Sequence, residues 1–200
     1  MRLPAAVVIV ELVMASLTAG CASSPPMQYY TLTEAPASAR LPAAGNTAPL
    51  HLDRITLPTE LDRSQLIRRI DATRLQIVEN DRWAAPLEDT IRRVLSDDLA
   101  ARLPPGMVAN PNEPLPGDKR QSLAVDIHEF YADVGCAVTL RASWVLKQGD
   151  SQGAPGAMET TVPASGACSG VKTVPAAMSQ ALGQLSDRIA EAVARPPNAQ

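Results

Sequence analysis

From Cys136 the chain reads Cys-Ala-Val-Thr-Leu-Arg-Ala-Ser-Trp-Val-Leu-Lys, and this stretch constrains the fold more than any other. Side chains alternate across a strand, so Cys136, Val138, Leu140, Ala142, Trp144 and Leu146 share one face, while Thr139, Arg141, Ser143 and Lys147 share the other. That pattern is a strand with one buried face. Residues 148–156 are rich in Gly, Ser, Asp and Pro and read as a loop, and residues 157–168 read as a second extended segment. A hairpin folded about Gln152 sets Lys147 against Ala157, Trp144 against Thr160 and Cys136 against Cys168. Directly opposed Cβ atoms lie about 4.5–5.5 Å apart, and a disulfide wants about 3.8 Å. A Cys136–Cys168 bridge is therefore expected, with a bulge or a close pair to bring the sulfurs together; two buried free thiols are the alternative. The bridge would contribute roughly 3–4 kcal/mol in the chain-entropy model. Pro163 cannot donate to a ladder, so the second strand is an edge or is interrupted there.

A disulfide implies an oxidising compartment, and the N-terminus supplies the route there. Arg2 precedes a short apolar run from Ala5 to Leu17, too short to span a bilayer, and Leu17-Thr18-Ala19-Gly20-Cys21 ends it on a cysteine. Residues 1–20 thus read as a signal peptide, and the sequence around Cys21 resembles a bacterial lipobox, which makes Cys21 the lipidation site. An ordinary secreted protein with a stray thiol at Cys21 is the alternative. Ala22 is not Asp, which by analogy with Gram-negative lipoproteins favours the periplasmic face of the outer membrane. Lipobox cysteines carry more than one acyl chain, and stable anchoring needs at least two such signals.

The remaining chain divides into a lipidated N-terminus and linker, residues 21–49, and one domain, residues 50–195. Tyr29-Tyr30-Thr31-Leu32 is a short strand candidate. Residues 34–49, rich in Ala and Pro, read as a linker or long mobile loop. Leu50 to Leu57 alternates as a strand, with Leu50, Leu52 and Arg54 set against His51 and Asp53. Ile67 to Ile70 and Leu75 to Val78 form two short strands joined at Asp71-Ala72-Thr73. Pro86 opens a helix in which Leu87, Ile91, Val94, Leu95, Leu99 and Leu103 recur at helical spacing. Leu123, Val125 and Ile127 alternate in a strand that turns into the Cys136 strand. A second amphipathic helix runs from about Val174 to Val193, with Gly183 as an internal weak point of about 1 kcal/mol relative to Ala. These elements predict an α+β fold, a mainly antiparallel sheet with two principal helices packed on one face.

The chemistry-bearing residues do not converge. The formal net charge is −3 with no Lys/Arg run, so the electrostatic footprint of a nucleic-acid binder is missing. His51 and His128 lie on different strands and no cysteine remains to join them, so no metal site is expected. No serine sits in a Gly-x-Ser-x-Gly elbow and no Gly-rich phosphate loop occurs. Glu88-Asp89 and Asp97-Asp98 are adjacent on helix turns and splay to different faces. The expectation is no enzyme and no cofactor.

Three segments then occur in order after Cys21: Tyr29-Tyr30-Thr31-Leu32, Leu61-Asp62-Arg63-Ser64-Gln65-Leu66-Ile67-Arg68-Arg69 and Arg82-Trp83-Ala84-Ala85-Pro86-Leu87. Together they resemble the PqiC/YmbA family of ABC-transport auxiliary lipoproteins, with Ala85 where that family more often has Glu. The resemblance covers most of the mature chain. It implies an outer-membrane-tethered subunit that serves an MCE-type intermembrane lipid transport system and docks on a tunnel-forming MCE-domain protein. Leu61, Asp62, Arg63, Gln65, Arg68, Arg82 and Trp83 are the candidate partner-docking residues. A polar cluster capping the sheet is an equal reading of Asp62, Arg63 and Arg68, and Trp83 reads more readily as a core side chain than as an interface anchor. A closed homo-oligomer suits such a subunit, though one sequence does not count copies. A lipoprotein activator of a peptidoglycan enzyme and a periplasmic lipid-binding carrier remain as alternatives.

Overall fold

The computed structural model describes residues 25–42, 48–109, 121–149, 151–153, 155–166, 168 and 170–195. Cys21 and the signal segment lie outside them. The strands are β1 (Gln28–Tyr30), β2 (Leu50–Thr56), β3 (Gln65–Arg69), β4 (Leu75–Trp83), β5 (Gln121–Ala132), β6 (Ala137–Gln148), β7 (Ser151–Gln152) and β8 (Gly156–Pro163). The helices are α1 (Leu87–Arg102) and α2 (Val174–Ala194), and a single 3-10 turn covers Thr59–Leu61.

Among the described residues one sheet runs β1-β4-β3-β5-β6, with β2 also on β5, and β7 and β8 on the far side of β6. The class is α+β, as expected, but the sheet is mixed. β1 runs parallel to β4, and β2 and β3 run parallel to β5, while β3–β4, β5–β6 and β6–β8 are antiparallel. The parallel pairs are the ones between segments far apart in sequence, which a tight turn cannot join. Helix α2 crosses β6 and β8, and α1 lies beside α2 over β2. Both helices occupy one face, where Leu123, Val125, Ile127, Phe130, Val138, Leu140, Ala142 and Trp144 are buried.

Two bulges tune which residues meet that core. In β2 the register slips between Leu52 and Arg54. Asp53 is the extra residue, so Leu50 and Ile55 both point inward and Arg54 is exposed. In β5 the slip falls between Ile127 and Glu129, with His128 unpaired. Its Nε2 shares a 2.9 Å hydrogen bond with Ser143 Oγ instead.

The β6–β8 pairing departs from the expected register. Trp144 faces Gly156, not Thr160, and Ala137 at the start of β6 faces Pro163 at the end of β8. Lys147 likewise meets Gln152 of β7 instead of Ala157. Glycine decides the register: a Cβ at Gly156 would lie 2.2 Å from the Trp144 indole, so only glycine can sit across from that ring. Strand β8 has a partner on one side only among the described residues and ends at Pro163, as a residue without an N–H requires. Cys168 therefore lies beyond the strand and is not a ladder partner of Cys136. The Ala164 N–H donates to Cys136 O (3.2 Å), and the Cys136–Cys168 disulfide forms with Cα atoms 5.7 Å apart. The expected bridge is present, reached by the segment after the strand instead of by direct opposition across it.

The linker reading does not survive over residues 31–42, which form a strap across α1 and α2. Leu32 is fully buried, the Ala35 N–H donates to Asp98 Oδ1 (2.8 Å), and the Leu41 N–H donates to Arg102 O (2.8 Å). Arg102 donates to Asp98 and Asp187 and also reaches the Ala35 and Pro36 carbonyls. Burial pushes the Asp98 carboxyl up, and the Ala35 N–H and Arg102 draw it back. Gly183 has its reason here: a Cβ would lie 2.4 Å from Ala35 Cβ, so the strap can cross α2 only over a glycine. The folded unit thus begins at β1, not at residue 50.

Candidate functional site

The face of the sheet opposite the helices is built from β3, the 3-10 turn and the second half of β5. Pro58 starts the 3-10 turn, whose Leu61 side chain is 4% exposed and pins it to the core. Glu60 points the other way, and its Oε1 accepts from Tyr131 Oη at 2.6 Å. Arg69 lies over the Tyr131 ring, 5.0 Å from its centroid, in cation–π geometry. Glu129 accepts ion pairs from Arg69 (3.4 Å) and Arg141 (2.7 Å). Burial, then the Glu60 hydrogen bond and charge, holds the Tyr131 phenol well above its ordinary range, so it stays a donor. The same hydrogen bond, first among its causes, lowers the Glu60 carboxyl.

Among the candidate docking residues, Asp62 and Arg63 are exposed, and Arg63 Nε donates to Glu60 O (2.9 Å). Gln65 sits directly across from Arg82 in the β3–β4 register. Arg68 Nε donates to Gln76 Oε1 at 2.7 Å. Arg82 Nε is buried without a hydrogen-bond partner among the described residues. Leu61 and Trp83 are core side chains, Trp83 being 7% exposed with its N–H donating to Ser64 O, so neither offers a contact surface of its own. The structure thus gathers Arg63, Gln65, Arg68 and Arg82 around one hairpin and withdraws the two apolar members beneath it. Tyr30 completes the neighbourhood by donating to Asp81 Oδ1 (2.7 Å), and burial with that contact raises its phenol to about 12.

Sequence reasoning singled out Arg69 as part of the motif but missed Glu60, Glu129, Tyr131 and Arg141, the residues gathered around it. The bulge at His128 shifts the alternation of β5, so Glu129 and Tyr131 reach the open face only through an irregularity that a period-two pattern does not show. Among the described residues no salt link joins Asp62 to Arg63 or Arg68; the cations turn to a carbonyl and an amide instead.

Chemically, Arg69 and Arg141 are fixed on Glu129, whereas Arg63 and Arg68 are held by neutral acceptors. Among the described residues no group of three or more His, Cys, Asp and Glu side chains could hold a metal ion. No helix among them is long and apolar enough to cross a membrane.

A family model described as the ABC-type transport auxiliary lipoprotein component matches residues 30–190. The chain is 27% identical over 129 residues to the intermembrane transport lipoprotein PqiC of Escherichia coli K12, covering 64% of this chain and 67% of that protein, and equally to the Shigella flexneri protein of the same name. Two crystal structures share the fold. One is of an uncharacterised protein, with TM-score 0.70, 20% identity and coverage of 84% of this chain and 99% of that one. The other is of a Xanthomonas campestris protein, with TM-score 0.59, 19% identity and coverage of 81% and 92%.

Proposed function

Because the chain belongs to the family of ABC-type transport auxiliary lipoprotein components, we propose that it is the outer-membrane-anchored accessory subunit of an MCE-type intermembrane lipid transport system. The observation that carries this reading is the extent of the family match, which begins inside β1 and ends inside α2 and so takes in nearly all of the folded unit. The relatives named for intermembrane transport supply the direction of the reading. On it, Cys21 carries the acyl chains, and the surface around Arg63, Gln65, Arg68 and Arg82 docks on a periplasm-spanning MCE-domain protein. Cations held by neutral acceptors, Arg63 by a carbonyl and Arg68 by an amide, suit that task, since charges open to a complementary partner fix register and partner choice more than raw affinity.

The anchor reading has a geometric consequence. Six residues lie between Cys21 and Gln28, where β1 begins, and an extended chain spans at most about 25 Å over those seven steps. The strap adds no slack, because it is tied to α1 and α2. A subunit held this close to one membrane can present a fixed face to a partner that arrives from the other.

The test is a photo-crosslinking amino acid placed at Asp62 or Arg68 in cells, with Lys147 at the opposite end of β6 as the control position. The proposal expects an MCE-domain protein captured from the first two positions and not from Lys147. Capture from Lys147 alone would overturn the docking face, and release of the Cys21→Ser variant is required of the anchor: membrane pelleting unchanged by that substitution would overturn it.

A further inference from the structure

Five large apolar side chains are exposed among the described residues: Met27, Tyr29, Leu75, Ile77 and Val134. Leu75 (41%), Ile77 (39%) and Val134 (56%) converge on one end of the sheet. Strand β3 runs parallel to β5, pairing Arg68 with Ala132, so the β3–β4 turn and the β5–β6 turn emerge at the same end. Leu75 pairs with Arg69 and Ile77 with Ile67, which puts both on the face opposite the helices.

The chain enters from that end too. Strand β1 is parallel to β4, with Gln28 level with Asp81, so the residues before Gln28 approach from the Leu75 side. Six residues of strand separate Asp81 from Leu75, roughly 20 Å at about 3.3 Å per residue. The tether of seven Cα–Cα steps from Cys21 to Gln28 reaches at most about 25 Å, so an anchored Cys21 stands no more than a few ångströms past the hairpin end.

We infer that the β3–β4 hairpin end and the β5–β6 turn contact the bilayer that holds the acylated Cys21, with Leu75, Ile77 and Val134 entering its interface. This inference rests on the anchor reading above. Several charges at that end are compensated locally. Asp71 accepts from the Thr73 and Arg74 N–H groups and pairs with Arg74, and Arg69 pairs with Glu129. Arg68, held by the neutral Gln76 amide, keeps its charge at this end, where it would sit at the level of the lipid headgroups. The Cys136–Cys168 disulfide holds the turn that carries Val134, with Cys168 Sγ 3.5 Å from Val134 O. Apolar side chains of this size bind an interface weakly on their own, but a short tether supplies the effective concentration that makes weak contact persistent.

The experiment uses full-length acylated protein reconstituted into phosphatidylethanolamine/phosphatidylglycerol vesicles containing brominated phosphatidylcholine. Leu75→Trp and Lys147→Trp variants are compared with wild type, whose Trp83 and Trp144 give the buried background. The inference expects the added emission of Leu75→Trp to shift to the blue and to be at least halved by the brominated chains, with that of Lys147→Trp unchanged. Acylated, vesicle-bound protein whose Leu75→Trp emission is unquenched would overturn the inference and leave the anchor standing. Protein that carries no acyl chain by intact mass and does not float with vesicles would overturn both.

Discussion

Gly183→Ala should destabilise the protein although it removes a glycine from the middle of a helix. Intrinsic propensity alone favours the alanine by about 1 kcal/mol. Against it stands the strap, since the new Cβ would lie 2.4 Å from Ala35 Cβ and 3.3 Å from Arg102 Nη2. Overpacking of this kind costs typically about 1–3 kcal/mol. Relief by lifting the strap would break the Ala35–Asp98 hydrogen bond, and a buried acceptor left short costs about 1–3 kcal/mol. The net expectation is a loss of roughly 1–2 kcal/mol, or about 2–8 °C in Tm at about 2–4 °C per kcal/mol for a chain of this size. Urea unfolding of the non-acylated mature chain measures it. The swap Ala35→Gly/Gly183→Ala removes the colliding methyl and should recover most of the loss, giving a coupling of about 1 kcal/mol or more. Gly183→Ala more stable than wild type by the full propensity gain would refute the strap as the reason for the glycine.

Cys136→Ala should cost roughly 3–4 kcal/mol, the chain-entropy value for a closed loop of this length; equal unfolding of wild type with and without reductant would contradict it. Asp98→Ala leaves Arg102 buried beside a single carboxylate, and loss of one partner of a buried pair costs about 3–5 kcal/mol; a loss under about 1 kcal/mol in denaturant melts would speak against that cluster. Glu60 is lowered in the folded protein, so its contribution is present above the ordinary value of 4.5 and fades as pH falls through the folded value. Tyr131→Phe removes the chief cause, and its stability should decline less steeply than wild type below pH 4.5 in acid unfolding; parallel curves would argue against the Tyr131–Glu60 bond. Tyr30 is raised to about 12, so its contribution is present below the ordinary phenol value of 10.0 and is lost as pH rises toward 12. Tyr30→Phe should flatten the alkaline branch accordingly, measured by thermal melts across that range.

What the sequence disclosed follows from periodicity. The apolar stripes of α1 and α2 and the alternation of β6 are long enough for burial to dominate, and the helices and the core face of β6 lie where the pattern puts them. Where one residue breaks the period, the pattern misleads: the bulge at Asp53 is what separates Arg54 from Leu50 and Leu52, and the bulge at His128 hid Glu129 and Tyr131. The hairpin register turned on the contact between Gly156 and Trp144, a steric fact between residues that a loop separates. The strap was hidden for a different reason. Its Ala/Pro composition resembles a linker, and what fixes it is a buried Asp98–Arg102 pair supplied by a helix, with Asp98 lying 63 residues beyond Ala35. The candidate docking residues were legible as a motif, but the division between displayed Arg63 and Arg68 and buried Leu61 and Trp83 required the turn geometry.

The measurement that bears most directly on the central claim is mass spectrometry of the proteins that co-purify with the full-length lipoprotein from gently solubilised, cross-linked envelopes. An accessory subunit of a lipid transport system should bring down an MCE-domain protein, and substitutions at Arg63 and Arg68 should deplete it without loss of the lipoprotein. Recovery of a peptidoglycan synthase, or of lipid with no protein partner, would contradict the account.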